Sequence, residues 1–264
     1  MSDWLRPARQ TALAQPLVPR VPIFLVVADA SHRVGSVEPG IAERMIGAGL
    51  PVRAAEAGYR IEGPGDASLA AIARWLHEEG IVAHRRGELL AVVDADNGRS
   101  VGAIERGVVR VLGLTTWTVH LVGHTIEGRI WVQQRAFDKV TDPGRWDTLM
   151  GGQVAAGESM AATLERETME EAGLAIADLL ELARGDPIAI RRPTTDGYMV
   201  EHIEVYRALV PVSFEPVNRD GEVERFACVD KGELVGCLAA GAFTLEATLI
   251  LGAELERRAA RREF

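Results

Sequence analysis

The chain has 264 residues, 47% of them hydrophobic, and a formal charge of −9, with 38 Asp and Glu against 29 Lys and Arg. That length and apolar content support one large or two smaller packed domains and argue against disorder. The acidic balance argues against a nucleic-acid partner, whose phosphates require Lys and Arg, but leaves room for a phosphorylated small molecule if a bound cation supplies local positive charge.

Residues 23–28 are almost all aliphatic and predict a buried strand; the run is too short to span a bilayer, and no cleavage-type signal precedes it, so a membrane is not expected as a partner. Residues 67–80 carry Leu69, Ile72, Trp75 and Leu76 at helical spacing, residues 89–93 form a second apolar run, and residues 101–113 read as a strand or turn leading into a short helix. Together these make a self-contained α/β segment. The pair Glu105-Arg106 is expected to form an ion pair where this segment ends. Residues 118–122 and 128–135 then read as two strands joined through residues 124–127, the start of a mixed sheet.

Five glutamates and one arginine follow in residues 152–174, GQVAAGESMAATLERETMEEAGL. On a helix of about 3.6 residues per turn, Glu167, Glu170 and Glu171 share an arc of about 100°, while Ala161, Thr168, Met169 and Ala172 fall on the opposite, packing side with Leu164 at the border. Three carboxylates this close repel one another unless something positive sits among them. Mg²⁺ suits them, because it takes carboxylate oxygens and completes its shell with water and substrate phosphates. Arg166 can orient Glu158 or Glu170 by a forked hydrogen bond. Gly151 and Gly152 permit close approach of backbone to a ligand and Gly157 a tight turn; Ser159 is the expected N-cap, and Gly173 with Leu174 the expected C-terminal cap.

Beyond this helix, residues 187–190 and 200–210 read as strands with a polar loop at 191–197, a further strand starts near Glu222 and Glu224, and a helix from residue 243 to about 262 closes the chain. Two cysteines, Cys228 and Cys237, are separated by eight residues without a nearby histidine pair, so neither a disulfide nor a zinc site is indicated and a reducing cytoplasm fits best.

The spacing of Gly152, Glu158, Arg166-Glu167, Glu170-Glu171 and Gly173-Leu174 resembles the complete Nudix box, with Thr168 the one departure from an aliphatic preference. The resemblance implies a Nudix α/β/α sandwich with a mixed sheet over residues 114–264, preceded by a smaller α/β domain over residues 1–113 that serves as a lid or specificity domain. It also implies Mg²⁺, or alternatively Mn²⁺, held by Glu167, Glu170, Glu171 and the Gly151 carbonyl, with Glu158 and Arg166 orienting them.

Residues 214–226, FEPVNRDGEVERF, are similar to a signature in one branch of that superfamily, the thiamin-diphosphate-related Nudix proteins with an extra N-terminal domain. Ile104 to Arg106, Val119-His120, Arg135 with Lys139, and the approach from Asp147 to Gly152 match the same branch. The implied substrate is thiamin diphosphate or an oxidised analogue, cleaved to a monophosphate. Thr118 and residues 84–88 depart from the branch in its substrate-selecting region. On this reading Glu170 or Glu222 accepts a proton from the attacking water; Arg135, Lys139, Trp146 and Asn218 contact the substrate; and Trp117 is a second aromatic that can stack on a heterocycle. His120 is expected to be a core or interface histidine.

The alternatives within enzymes are hydrolysis of ADP-ribose or a nucleotide sugar, and isomerisation of the isopentenyl-diphosphate type, which needs a cysteine facing the metal carboxylates. A ligand-binding sensor on the same fold is the alternative from another class. The partner expected is a small-molecule diphosphate, with a homodimer left open.

Overall fold

Three hydrophobic clusters, one on a first sheet and one on each face of a second, hold the chain together in the computed structural model, which describes residues 3–261. Helix α1 (Leu5–Ala12) comes first. The aliphatic run then forms β1 (Val21–Val27), which turns through Ala28 and Asp29, both at positive φ (48° and 65°), into the antiparallel β2 (Ala30–Val37). Two left-handed residues in a two-residue loop match the right-handed twist of the strands they join. Helix α2 (Pro39–Gly47), the hairpin β3 (Val52–Ala55) and β4 (Gly58–Ile61), and helix α3 (Gly65–Glu78) follow, and β4 lies parallel to β1 to give the order β2-β1-β4-β3. A separate hairpin, β5 (Leu89–Val93) with β6 (Ser100–Glu105), ends in a 3-10 turn at Arg106–Val108. Leu69, Ile72 and Leu76 of α3 pack with Ile23, Leu25, Leu90 and Ile104, as their spacing predicts.

The second sheet is organised on β7 (Thr115–His124), buried along most of its length. Around it are β8 (Ile130–Arg135), β9 (Trp146–Asp147), β10 (Met150–Gln153), helix α4 (Met160–Ala172), β11 (Leu180–Arg184), β12 (Ile188–Thr194), β13 (Gly197–Leu209), β14 (Val223–Val229), helix α5 (Lys231–Ala239) and helix α6 (Leu245–Arg261). Strand order is β11-β13-β7-β8-β14, with β13 parallel to β7 and the other pairs antiparallel; β10 pairs with β7, β12 with β13 and β9 with β8. Alternation along β7 assigns its two faces. Val119 and Leu121 pack with Leu164 and Ala172 of α4, whereas Val122 joins Ile250 and Leu251 of α6 and Leu5 of α1. Helices therefore cover both faces of a mixed sheet, the expected α/β/α sandwich. Among the described residues, no helix is long and apolar enough to cross a membrane.

Several expectations are corrected. Residues 191–197 are not a polar loop: β12 runs to Thr194 and only Thr195 and Asp196 turn before β13. Pairing on one side alone makes β12 an edge strand, which tolerates the polar run and Pro193. Glu105 and Arg106 do not pair with each other; Glu105 lies 2.9 Å from His77 and accepts the Arg86 N–H, and Arg106 pairs with Glu88 at 2.7 Å. The closing helix is described to Arg261, and Arg262 lies outside the described residues.

Glu254 of α6 ties that helix to the sheet. Its carboxylate, 3% exposed, lies 2.8 Å from Arg257, 3.2 Å from His124 at the end of β7 and 3.6 Å from Arg207 of β13. Burial pushes the Glu254 carboxyl up, but the hydrogen bonds from Arg257 and the close approach of His124 outweigh it and hold the group at about 2, below its ordinary 4.5. A depressed carboxyl stabilises the fold above its unfolded pKa and loses that contribution as pH falls toward its folded one. Glu254→Gln is expected to destabilise the protein by on the order of 2 kcal/mol at pH 7, with the deficit shrinking between about pH 4.5 and pH 2 in thermal melts. An equal melting temperature at pH 7, or a deficit that persists undiminished at the acid end, would contradict this assignment.

Candidate active site

Two side-chain-free positions of β10 make room on the sheet, Gly152 for α4 and Gly151 for His120 on the other face. Gly151 pairs with His120 and Gly152 with Val119 across the β10–β7 ladder. A Cβ on Gly151 would stand 2.5 Å from the His120 ring, and one on Gly152 only 2.1 Å from Cγ of Glu167, so nothing larger than glycine fits at either. Gly157, at φ 83°, turns the following loop, Ser159 caps α4 by accepting the Ala162 N–H at 3.2 Å, and Gly173, at φ 67°, ends it, with Leu174 buried beside it.

The three glutamates lie on one arc, but the arc is graded in depth. Glu171 is enclosed at 3% exposure, where its Oε2 accepts the Gly151 N–H at 3.0 Å and the Gln133 side-chain amide at 2.9 Å. Glu167 is mostly buried against Gly152, and Glu170 is nearly half exposed. The packing side differs from expectation for the same reason: because Glu171 points inward, Thr163, Leu164, Thr168 and Ala172 are the buried neighbours, Ala161 is exposed and Met169 half-buried.

Arg166 touches three carboxylates at once. Its Nε and Nη2 fork onto Glu158, both at 2.9 Å, and its Nη1 lies 2.8 Å from Glu167 and 3.0 Å from Glu170. The planar guanidinium suits such bidentate contact. Held by that fork and by the Thr163 hydroxyl at 2.7 Å, the Glu158 carboxyl falls to about 2. Glu167 goes the other way, pushed up to about 7 by burial despite Arg166, and Glu171 reaches about 8 through burial and the neighbouring Glu167 charge, against the donors on its Oε2. Desolvated carboxylates that resist ionising near neutral pH are stabilised by an added cation. Among the described residues, no three acidic, histidine or cysteine side chains converge as a finished metal cage; Arg166 occupies Glu167 and Glu170 instead. The all-oxygen donor set nevertheless fits a hard divalent cation such as Mg²⁺ or Mn²⁺.

On the opposite face of the sheet lies a cavity of about 990 Å³. Gly151, Gly152 and Gln153 form part of its wall, so bare backbone stands between the cavity and the α4 carboxylates. The N-terminal half of the chain contributes His84, Arg86, Arg106 and Arg110. Arg135, Lys139 and Glu222 line it as expected: Arg135 donates to the Thr141 carbonyl at 3.0 Å and lies 3.6 Å from Asp147, and Lys139 is paired with Glu222. Burial pushes the Glu222 carboxyl up, but Lys139 outweighs it and holds the group below its ordinary range. His120 is buried and its Nδ1 lies 2.9 Å from the Thr148 hydroxyl; burial lowers it to about 4, so the ring is neutral at pH 7.

Two expected substrate contacts are not brought to the cavity. The Trp146 ring stacks under Arg225 at 5.2 Å and packs on the α6 core. Asn218 spends both ends of its amide on its own turn, accepting from Asp220 and Gly221 and donating to Val223. Trp117 stacks on His202 at 4.7 Å instead of on the cavity. Conversely, Arg86 and Arg110 were not anticipated, since isolated arginines on a turn carry no local signal.

Residues 115–247, half of the chain, match the NUDIX domain family. The chain belongs to the Nudix family. This Nudix chain is 30% identical over 183 residues to Nudix hydrolase 20, chloroplastic, of Arabidopsis thaliana, a match covering 67% of this chain and 48% of that protein. It is 30% identical over 156 residues to an isopentenyl-diphosphate Delta-isomerase of Clavibacter sepedonicus, covering 58% and 78%. A crystal structure from Deinococcus radiodurans is similar with a TM-score of 0.49 at 22% identity, covering 60% of this chain and 92% of that one. The chain spans about half the length of the first two Arabidopsis relatives it matches.

Because a Cβ on Gly152 collides with Glu167, Gly152→Ala in this Nudix chain is expected to destabilise it by about 1–3 kcal/mol and to weaken Mn²⁺ binding in calorimetric titration at least tenfold. Unaltered Mn²⁺ affinity would show that Glu167 need not sit against the glycine.

Proposed function

We propose that the chain is a divalent-metal-dependent hydrolase that converts the diphosphate of a small organic substrate to a monophosphate, with thiamin diphosphate or an oxidised analogue as the preferred substrate. The observation that carries this reading is the pair of desolvated carboxylates, Glu167 and Glu171, set behind the bare Gly151-Gly152 backbone of a cavity rimmed by Arg86, Arg106, Arg110 and Lys139. Glu167, Glu170, Glu171 and the Gly151 carbonyl would hold the ion. When bound, Mg²⁺ or Mn²⁺ offsets the charge of the non-bridging oxygens and favours ionisation of the attacking water.

The chain's own residues do the rest. Arg166 fixes Glu158, Glu167 and Glu170 in orientation. Arg135 and Lys139 contact the diphosphate by charge. Glu222 is the carboxylate on the cavity wall, ionised at neutral pH, and it accepts the proton as water oxygen bonds to one phosphorus and the bridging P–O bond breaks. Glu170, held by Arg166 and absent from the cavity wall, serves as a ligand rather than a base. The electron pair leaves on the departing monophosphate, so no covalent enzyme intermediate forms. The N-terminal half, through residues 81–86 and 106–110, closes the cavity and selects the organic end.

The similarity to an isopentenyl-diphosphate isomerase favours a second reading. Against it, neither Cys228 on β14 nor the exposed Cys237 lines the cavity. The test is a panel of thiamin diphosphate, its oxo and oxy analogues, ADP-ribose, nucleotide sugars and isopentenyl diphosphate, with products identified by mass. Conversion of thiamin-type diphosphates is expected to dominate, and Glu171→Gln, whose amide oxygen can still accept the Gly151 N–H, is expected to fold normally and lose at least 100-fold in turnover. Preference for nucleotides would remove the thiamin assignment, and undiminished turnover in Glu171→Gln would remove the ligand assignment.

A further inference from the structure

Away from the glycine wall, the same cavity is floored by two carboxylates that the hydrolytic chemistry does not use, Glu201 of β13 and Glu246 of α6. Glu201 is only 7% exposed; its one side-chain partner is the Thr116 hydroxyl, which donates to it at 3.4 Å. Glu246 is half-buried and lines the cavity. Among the described residues, no Lys, Arg or His nitrogen comes within ion-pair distance of either; Arg106 and Arg110 act on Glu201, and Arg192 on Glu246, from farther away. On the same cavity wall the Thr118 hydroxyl, 8% exposed, has no hydrogen-bond partner among the described residues. Burial dominates both carboxyls and pushes them up, Glu201 to about 7. Two acids with no cation beside them and an unpartnered hydroxyl on one cavity wall leave hydrogen-bonding capacity unfilled, and a ligand that donates to the acids supplies it.

Register gives the spacing. Glu201 lies opposite Thr116, and Gly151 opposite His120, on the same strand β7. Four residues separate the two positions by about 13 Å along β7, and because β13 and β10 flank β7 on opposite edges, about 10 Å across it, so Glu201 and Gly151 stand about 16 Å apart. That is the reach of a diphosphate joined to a ring by a short linker. Two carboxylates would repel a phosphate at this end, whereas an amino-substituted nitrogen ring offers an exocyclic amino group that donates to a carboxylate and, beside it, a ring nitrogen that accepts from the Thr118 hydroxyl or from a carboxyl that keeps its proton.

We propose that Glu201, Glu246 and Thr118 form the recognition site for an amino-substituted nitrogen heterocycle, the organic end of the diphosphate substrate. The inference rests on the hydrolase reading for the placement of the diphosphate alone. An aminopyrimidine and an adenine share this chemistry, and a prenyl chain lacks it.

The test is direct binding to the full chain by calorimetry, with thiamin diphosphate, unphosphorylated thiamin, adenosine and inorganic pyrophosphate as probes. Glu201→Gln and Glu246→Gln are expected to weaken thiamin diphosphate and at least one unphosphorylated ring compound by tenfold or more, while shifting pyrophosphate by less than twofold. Thiamin against adenosine then tells which ring the site takes. Both variants are expected to melt at or above the wild-type temperature, since a buried unpaired charge has been removed. Unchanged ring affinity in the variants, equal weakening of pyrophosphate, or failure of the wild type to bind either ring compound would overturn the proposal. Ring binding that depends on Glu201 in a protein that hydrolyses no diphosphate would uphold it and remove the hydrolase reading instead.

Discussion

Everything at this site depends on placing Glu167 and Glu171 where water cannot solvate them. The sheet forces this, because Gly152 lets α4 approach until Glu167 lies against it, and Glu171 accepts the N–H of Gly151 next to it. Burial alone would leave both carboxylates protonated near neutral pH. Arg166 counters it only in part, since its fork is committed to Glu158 and a single Nη1 is shared between Glu167 and Glu170. The remaining demand for positive charge is what sets this helix apart from a solvated acidic surface and supports the proposed cation site.

The same glycines divide the chemistry between two faces of one sheet. Val119 and Leu121 anchor α4 on one side, and Thr116, Thr118 and His120 line the cavity on the other, by the simple alternation of β7. The carboxylate cluster is thus built by local sequence, a loop and a helix of consecutive residues. The cavity is built by distant pieces, including residues 81–110 of a separately cored half.

How much could be read beforehand follows from that difference. Residues 152–174 were legible because cap, turn and ligand positions are fixed by spacing within one helix: Ser159, Gly157 and Gly173 take their expected conformations. The apolar runs at residues 23–28 and 89–93 and the strand read at residues 118–122 mark strands that the structure places at Val21–Val27, Leu89–Val93 and Thr115–His124. Helices α1, α2 and α5 and strands β2 to β4 gave weaker local signals, and the turn at Ala28-Asp29 lacks the glycine that marks most two-residue hairpins. Trp146 and Asn218 were misplaced because residue type does not reveal that an arginine stacks on the one and a turn consumes the other. Glu201 and Glu246 carry no local signal in the sequence, for only long-range strand pairing and the start of α6 carry them to a shared cavity.

The most direct test of the account is turnover of thiamin diphosphate, ADP-ribose and isopentenyl diphosphate in ¹⁸O-labelled water, with Mg²⁺ and then with a chelator. Cleavage by water at phosphorus predicts one labelled oxygen in a phosphate-bearing product, formed with Mg²⁺ and abolished by the chelator. Products that keep the diphosphate and carry no label, or turnover indifferent to the chelator, would contradict it.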